Sequence, residues 1–242
     1  MVAMKPESGK LKGKRVVLTG ISRGVGREIA LLFLTEGAQI LGVSRNRANL
    51  AKAGRDFSCW GKSYSAVLAD VSSPAAPARI AAAARRRWSA VDLLINNAAI
   101  NPGGEPFIKE PAGTLERTLE TNVLAPYRLT RALLPLLLRG RRPRVVNLSS
   151  GAGSFHSVSH GKDMSSYKLS KFVVNGLTML FANELAGKVS VVAMDPGWVK
   201  TDMGGPGATD HPSLSARRAL AIALLPANVT GKYLAGDQVL NW

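Results

Sequence analysis

Tyr167 and Lys171 stand four residues apart in SSYKLSK, residues 165–171. On a helix, that spacing puts both side chains on one face. The run behind them, FVVNGLTMLFANEL, reads as core, so the face that carries them turns inward. A phenol ionises at ~10, too high for efficient proton exchange near neutrality. An ammonium one turn away favours the phenolate and draws that value down. Such a pair suits proton exchange with a bound molecule. Standing alone, it fits equally well two side chains of an amphipathic helix that reach for water.

A second group is TGISRGVG, residues 19–26, between a short β-branched run and a helical pattern. Gly20 can make a tight turn, and Gly24 and Gly26 let the backbone approach a ligand. The helix that follows offers unpaired N–H groups and a positive dipole end to a pyrophosphate. Glycines also serve ordinary turns, so it is the position in a first βα turn that gives the pattern its meaning. His156 and His160 lie close together, but no third ligand stands nearby, so we expect a solvated loop and no metal.

Positioning these groups takes a regular alternation. RVVLTG, QILGVSR, SYSAVLADV, VDLLINNAA, RVVNLSS, KVSVVAMDPG and GKYLAG read as strands. Helical patterns follow at 24–38, 46–54, 74–88, 114–139, 165–186 and 213–225, with Pro126 and Pro135 as kinks in the fourth. Strands each followed by a helix make βαβ units with right-handed crossovers. The fold expected is α/β: one Rossmann-like doubly wound parallel sheet of about seven strands, order 3-2-1-4-5-6-7, with helices on both faces. Residues 1–13 read as a flexible N-terminal segment, and 14–242 as a single dinucleotide-binding and catalytic domain.

With 242 residues and 46% hydrophobic content, one sizeable core accounts for the chain. The single cysteine, Cys59, excludes an internal disulfide and fits a reducing, cytoplasmic compartment. No secretory pattern opens the chain, and no apolar run reaches the ~18 residues of a membrane span. The net charge of +16 is scattered in short groups, among them Lys10 to Arg15 and Arg139 to Arg144. Several fall at helix C-termini, where cations are favoured. We read them as solvated helix ends, with neither nucleic acid nor membrane as a partner.

The spacing T-G-x-x-x-G-x-G, together with Tyr167-x-x-x-Lys171, resembles the short-chain dehydrogenase/reductase family. ADV at 69–71, NNAA at 96–99, TNVLAP at 121–126, VVNLSS at 145–150 and PGWVKTDMGG at 196–205 follow in the family's order. The last of these and the ending GKYLAGDQVLNW are similar to the carbonyl-reductase branch. The resemblance implies an oxidoreductase that moves a hydride between a nicotinamide cofactor and a small-molecule carbonyl or alcohol. Tyr167 would be its general acid or base, and Lys171 would also hold the cofactor ribose. Ser150, the second of a serine pair with Ser149, would orient the substrate carbonyl. Asn122 would hold a water linked to the lysine.

The resemblance also implies a cofactor-binding set. Gly20, Ser22, Arg23, Gly24, Val25 and Gly26 form the phosphate loop. Asp70 and Val71 meet the adenine, and Asn96 and Ala98 lie against the cofactor. Pro196, Gly197, Val199 and Thr201 meet the nicotinamide carboxamide. Ala99 departs from the usual glycine, and the Ser150-to-Tyr167 spacing of 17 is long. At the end of the second strand, Ser44 and Arg45 stand where an NADH-preferring chain carries an acid, so NADP(H) is the preferred cofactor and NAD(H) the second choice. Arginine's fork suits phosphate oxygens. The helices at 114–139 and 165–186 carry more apolar surface than one sheet face hides, which implies a homodimer or homotetramer. The alternative is a dinucleotide-binding signalling or regulatory protein, which would not need the tyrosine.

Overall fold

The computed structural model describes residues 9–160 and 163–242. Eight strands form one sheet: β1 (Arg15–Thr19), β2 (Gln39–Ser44), β3 (Tyr64–Leu68), β4 (Leu93–Asn96), β5 (Arg144–Leu148), β6 (Ser190–Met194), β7 (Tyr233–Ala235) and β8 (Gln238–Leu240). Their order is 3-2-1-4-5-6-7-8. The first seven are parallel, as the βα alternation requires, and β8 returns antiparallel to β7. The eighth strand goes beyond the expected seven. Gly236, at a positive φ of 72°, begins the two-residue turn that lets the chain double back.

Helix α1 (Gly24–Thr35) and α8 (Pro212–Leu224) cover one face of the sheet. Their Ile29, Phe33, Ala216 and Leu220 pack with Leu18, Val146 and Met194. The other face is covered by α3 (Ala76–Arg87), α5 (Ala125–Leu137) and α7 (Ser165–Glu184) through Ile80, Leu133 and Phe181. Both faces are therefore dry, which is why the strands read as near-continuous apolar runs. Helix α2 (Arg47–Asp56) begins at Asn46, whose side chain accepts from the Asn49 N–H at 2.9 Å.

Three expectations change. The helix expected over 114–139 is α4 (Thr114–Leu119), a π-helical turn over Glu120–Leu124, and then α5. Pro126 follows at once, and its missing N–H agrees with a break in the α-helical ladder here. The loop expected around His156 is a short helix, α6 (Phe155–His160). The loose segment expected over 1–13 is packed over its last five residues. Leu11 is 1% exposed, and its N–H donates to the Glu36 carbonyl at 3.0 Å. Residues 1–8 lie outside the described residues.

Arg144 is the exception among the solvated charges. It is buried in β5, and its guanidinium donates to the Leu225 and Pro226 carbonyls (3.1 and 2.6 Å), the Ile222 carbonyl and Ser190 Oγ. These carbonyls end α8, so the cation sits at the negative end of a helix dipole. Burial still pushes its pKa down to about 10.

Candidate active site

Loops at the C-terminal ends of β1, β2, β3, β4, β5 and β6 surround a cleft of about 480 Å³. Its floor is the glycine loop. Gly20 has a φ of 72°, and a Cβ there would lie 2.6 Å from Asn97 Nδ2. A Cβ on Gly26 would lie 2.2 Å from the Gly20 carbonyl oxygen. Both positions need glycine, and the bare backbone that results is a cradle. Arg23 precedes α1 with no side-chain cap, so the first N–H groups of the helix are left for a ligand. These residues fit a dinucleotide pyrophosphate.

Ser22, Arg23, Ser44, Arg45, Asp70 and Val71 line one end of the cleft. Ser44 Oγ donates to Ser22 Oγ at 3.3 Å, which draws the ends of β1 and β2 together. Arg23 pairs with Asp202 at 2.5 Å, both side chains well exposed. Such an exposed pair is weak. Arg45 is exposed beside it.

Tyr167 and Lys171 both line the inner end. Lys171 is 3% exposed, and its Nζ lies 5.5 Å from the Tyr167 ring centroid and donates to the Leu148 carbonyl at 2.8 Å. Burial pushes the ammonium down to about 8. It also pushes the Tyr167 phenol up to about 12; the hydrogen bond with Ser150 works against this, and Asp195 adds to it. This corrects the expectation that Lys171 draws the phenol down. Loss of hydration dominates the phenol, and the lysine's donation goes to the Leu148 backbone carbonyl.

The serine pair is not sorted as expected: Ser149 lines the cleft and Ser150 does not. Ser149 is buried, and its Oγ donates to Asn175 Oδ1 at 2.6 Å, so it ties β5 to α7. Ser150 bonds to Tyr167 and accepts from the Ala152 N–H at 3.1 Å. Asn122 spends its side chain on the Ile100 backbone, at 2.9 Å in both directions, and on Ser170 Oγ at 2.9 Å. That side chain ties the cleft wall to the tyrosine helix.

Three expected cofactor contacts are redistributed. Asn96 turns away from the cleft and donates to Asn147 Oδ1 at 2.8 Å between the strands. Its neighbours Asn97, Ala98 and Ala99 line the cleft instead. Asn97 was passed over in the sequence, yet its Nδ2 donates to the Thr19 carbonyl at 2.7 Å and pins the glycine loop. Adjacent strand residues point to opposite faces, so choosing within an Asn-Asn pair needs the register. Pro196 and Thr201 line the cleft, whereas Gly197 and Val199 do not. Gly197 sits where a Cβ would lie 2.2 Å from Asp210 Oδ2, and Val199 is buried and bridged to Asp210. Thr121, Asp202 and Met203 join the lining without having been singled out. The His156 and His160 rings stack at 4.5 Å on α6, and no cluster of three metal ligands occurs among the described residues.

The description "short chain dehydrogenase" belongs to the family model that matches residues 14–211. Oxidoreductase UcpA of Escherichia coli (strain K12) is 32% identical over 200 residues, covering 81% of this chain and 73% of its own. The NADPH-dependent pterin aldehyde reductase of Arabidopsis thaliana is 27% identical over 190 residues, covering 78% of this chain and 76% of its own. Among solved structures, the NADPH-bound carbonyl reductase from chicken fatty liver superimposes with a TM-score of 0.85 at 26% identity, covering 96% and 100% of the two chains.

Proposed function

Because the chain belongs to the short chain dehydrogenase family, we propose that it interconverts a small carbonyl compound and its alcohol with NADP(H), using Tyr167 as the proton donor and acceptor. The observation that carries this reading is the meeting of Tyr167 and Lys171 at the inner end of a cleft floored by the glycine loop, with Ser150 hydrogen-bonded to the phenol. A nicotinamide cofactor supplies or accepts the hydride when bound. Tyr167 gives its proton to the carbonyl oxygen in reduction and takes it back in oxidation. Ser150 hydrogen-bonds that oxygen as negative charge develops on it. Lys171 holds the ribose and steadies the phenolate left behind. Asn122 and Asn97 keep the walls in register. A protein that only bound the dinucleotide would have no use for a serine bonded to the phenol.

NADPH is the preferred cofactor in this reading. No acid stands at the end of β2, and Arg45, Arg23 and Ser22 surround the place for a 2′-phosphate. The test is a panel of aldehydes and ketones assayed with NADPH and NADH by loss of nicotinamide absorbance. We expect NADPH to be favoured in the parent. Arg45→Asp should shift the NADPH/NADH ratio by roughly ten- to a hundredfold, the equivalent of a charge-assisted hydrogen bond of ~1.5–3 kcal/mol. An unchanged ratio would remove Arg45 from the 2′-phosphate site. A cytoplasmic location belongs to the same reading and rests on the lone cysteine.

A homodimer also belongs to it. Phe172, Val173, Met179 and Leu180 of α7 are 42, 36, 44 and 62% exposed and lie on one stripe, with Leu124 and Tyr127 on the neighbouring segment at 37 and 36%. A contiguous apolar face of this kind suits a second copy of the chain. Light scattering at micromolar concentration should give twice the 25.6 kDa chain mass, and Leu180→Glu should return it to one. A parent that scatters as a single chain refutes the pairing.

A further inference from the structure

The segment between β6 and α8 folds back on itself as it reaches across the cleft. Val199 bridges to Asp210, and the Thr209 and Asp210 N–H groups both donate to the Trp198 carbonyl, at 3.1 and 2.9 Å. Trp198 Nε1 donates to the Gly204 carbonyl at 2.9 Å, and its ring lies over Gly207, 3.0 Å from where a Cβ would stand. The turn at the tip is closed by two further bonds. The Gly204 N–H donates to Thr201 Oγ1 at 3.2 Å, and the Gly205 N–H to the Thr201 carbonyl at 3.1 Å. The segment is therefore an arm that supports itself, and Thr201, Asp202 and Met203 are the part of its tip that lines the cleft.

That tip rests on the glycine loop. A Cβ on Gly24 would stand 3.0 Å from Thr201 Cγ2, so the two backbones meet with no room for a side chain between them. Next to this contact, Arg23 Nη1 donates to Asp202 Oδ2 at 2.5 Å, joining residues 179 apart in sequence across the cleft. Neither side chain has another hydrogen-bond or ion-pair partner among the described residues. The guanidinium that the cleft offers to an anion is therefore already claimed by a carboxylate. Both side chains are more than two-thirds exposed, so the pair is screened by water and salt. A phosphate dianion carries twice the charge of a carboxylate and also suits the arginine fork.

We propose that Asp202 is a specificity-determining residue for the cofactor: its carboxylate competes with the 2′-phosphate of NADPH for Arg23. NADPH must displace Asp202 to reach the guanidinium, whereas NADH leaves the pair intact. Asp202 thereby lowers the preference for NADPH that Arg23 and Arg45 set, because specificity is a difference between two affinities and only one of them bears this cost. This rests on the NADP(H) reading above, since it needs a 2′-phosphate at Arg23.

Fluorescence titration with NADPH and NADH makes the test, in the parent, Asp202→Asn, Arg23→Ala and the double variant. Binding is read and not turnover, so no substrate has to be known. Asparagine keeps the size of the side chain and drops its charge. The NADPH/NADH affinity ratio should rise about two- to fivefold in Asp202→Asn, the range of an exposed ion pair, and the rise should fade as salt is added. On the Arg23→Ala background the same substitution should leave the ratio where it is, since the competition runs through the guanidinium. An unchanged ratio in Asp202→Asn overturns the assignment. A rise that survives Arg23→Ala overturns it too, because Asp202 would then repel the phosphate directly. A parent that binds neither cofactor overturns the NADP(H) reading together with this one, whereas a parent that prefers NADPH by a ratio Asp202→Asn does not move overturns this one alone.

Discussion

Tyr167→Phe should bind NADPH as tightly as the parent and reduce a responsive carbonyl at least ~10²-fold more slowly, the lower end of what a positioned general acid contributes. The change removes one oxygen and leaves the ring that packs beside Lys171. It also removes the bond to Ser150, so part of the loss is a carbonyl held less firmly. The pH dependence carries further information. Burial pushes the phenol up to about 12, so it stays protonated through the neutral range. For reduction, kcat/KM in the parent should be flat there and fall only in strong alkali. For alcohol oxidation, which needs the phenolate, it should climb with pH. Turnover by Tyr167→Phe equal to the parent's would remove the proton-donor role.

Lys171→Met should separate activity from stability. Turnover should fall at least ~10²-fold, because the ammonium that steadies the phenolate is gone. Cofactor affinity should weaken as well, through the lost ribose contact. Stability should change little at pH 7. The lysine is buried with its pKa brought down from 10.5 to about 8 by loss of hydration, so its charge is a burden that methionine lifts. Against that stands the lost bond to the Leu148 carbonyl, worth ~1.5–3 kcal/mol for a charged donor. Between pH 8 and 10.5 the unfolded lysine holds a proton that the folded one has released. The unfolded state thus binds more protons, and stability rises with pH through that window. The melting temperature of the parent should therefore climb relative to that of Lys171→Met from pH 8 to 10.5. Parallel melting curves across the window would show that Lys171 keeps its ordinary pKa.

Much of the site is local, and local features are legible in a sequence. Tyr167 and Lys171 share a face because a helix repeats every 3.6 residues, and the apolar run behind them makes that stretch a helix. Gly20 and Gly26 form a bare-backbone cradle because a strand precedes them and a helix follows. The parallel sheet and its order follow from βα alternation and right-handed crossovers, which leave few other topologies. The choice of Ser150 over Ser149 is of another kind. Adjacent residues leaving a strand point to opposite sides, and only the packed structure shows that Ser149 lines the cleft while its hydroxyl bonds to Asn175. The same holds for Asn96 and Asn97, which divide between a bond across the strands to Asn147 and the glycine loop.

Tertiary structure alone decided three further features. The chain doubles back as β8 because Gly236 permits the turn and β7 offers an open edge. Arg144 leaves the solvated charges because the end of α8 happens to lie over β5. The ionisation of Tyr167 belongs with these. An i,i+4 lysine predicts a lowered phenol pKa, but hydration is lost to every wall of the cleft at once, and that sum exists only in the folded chain.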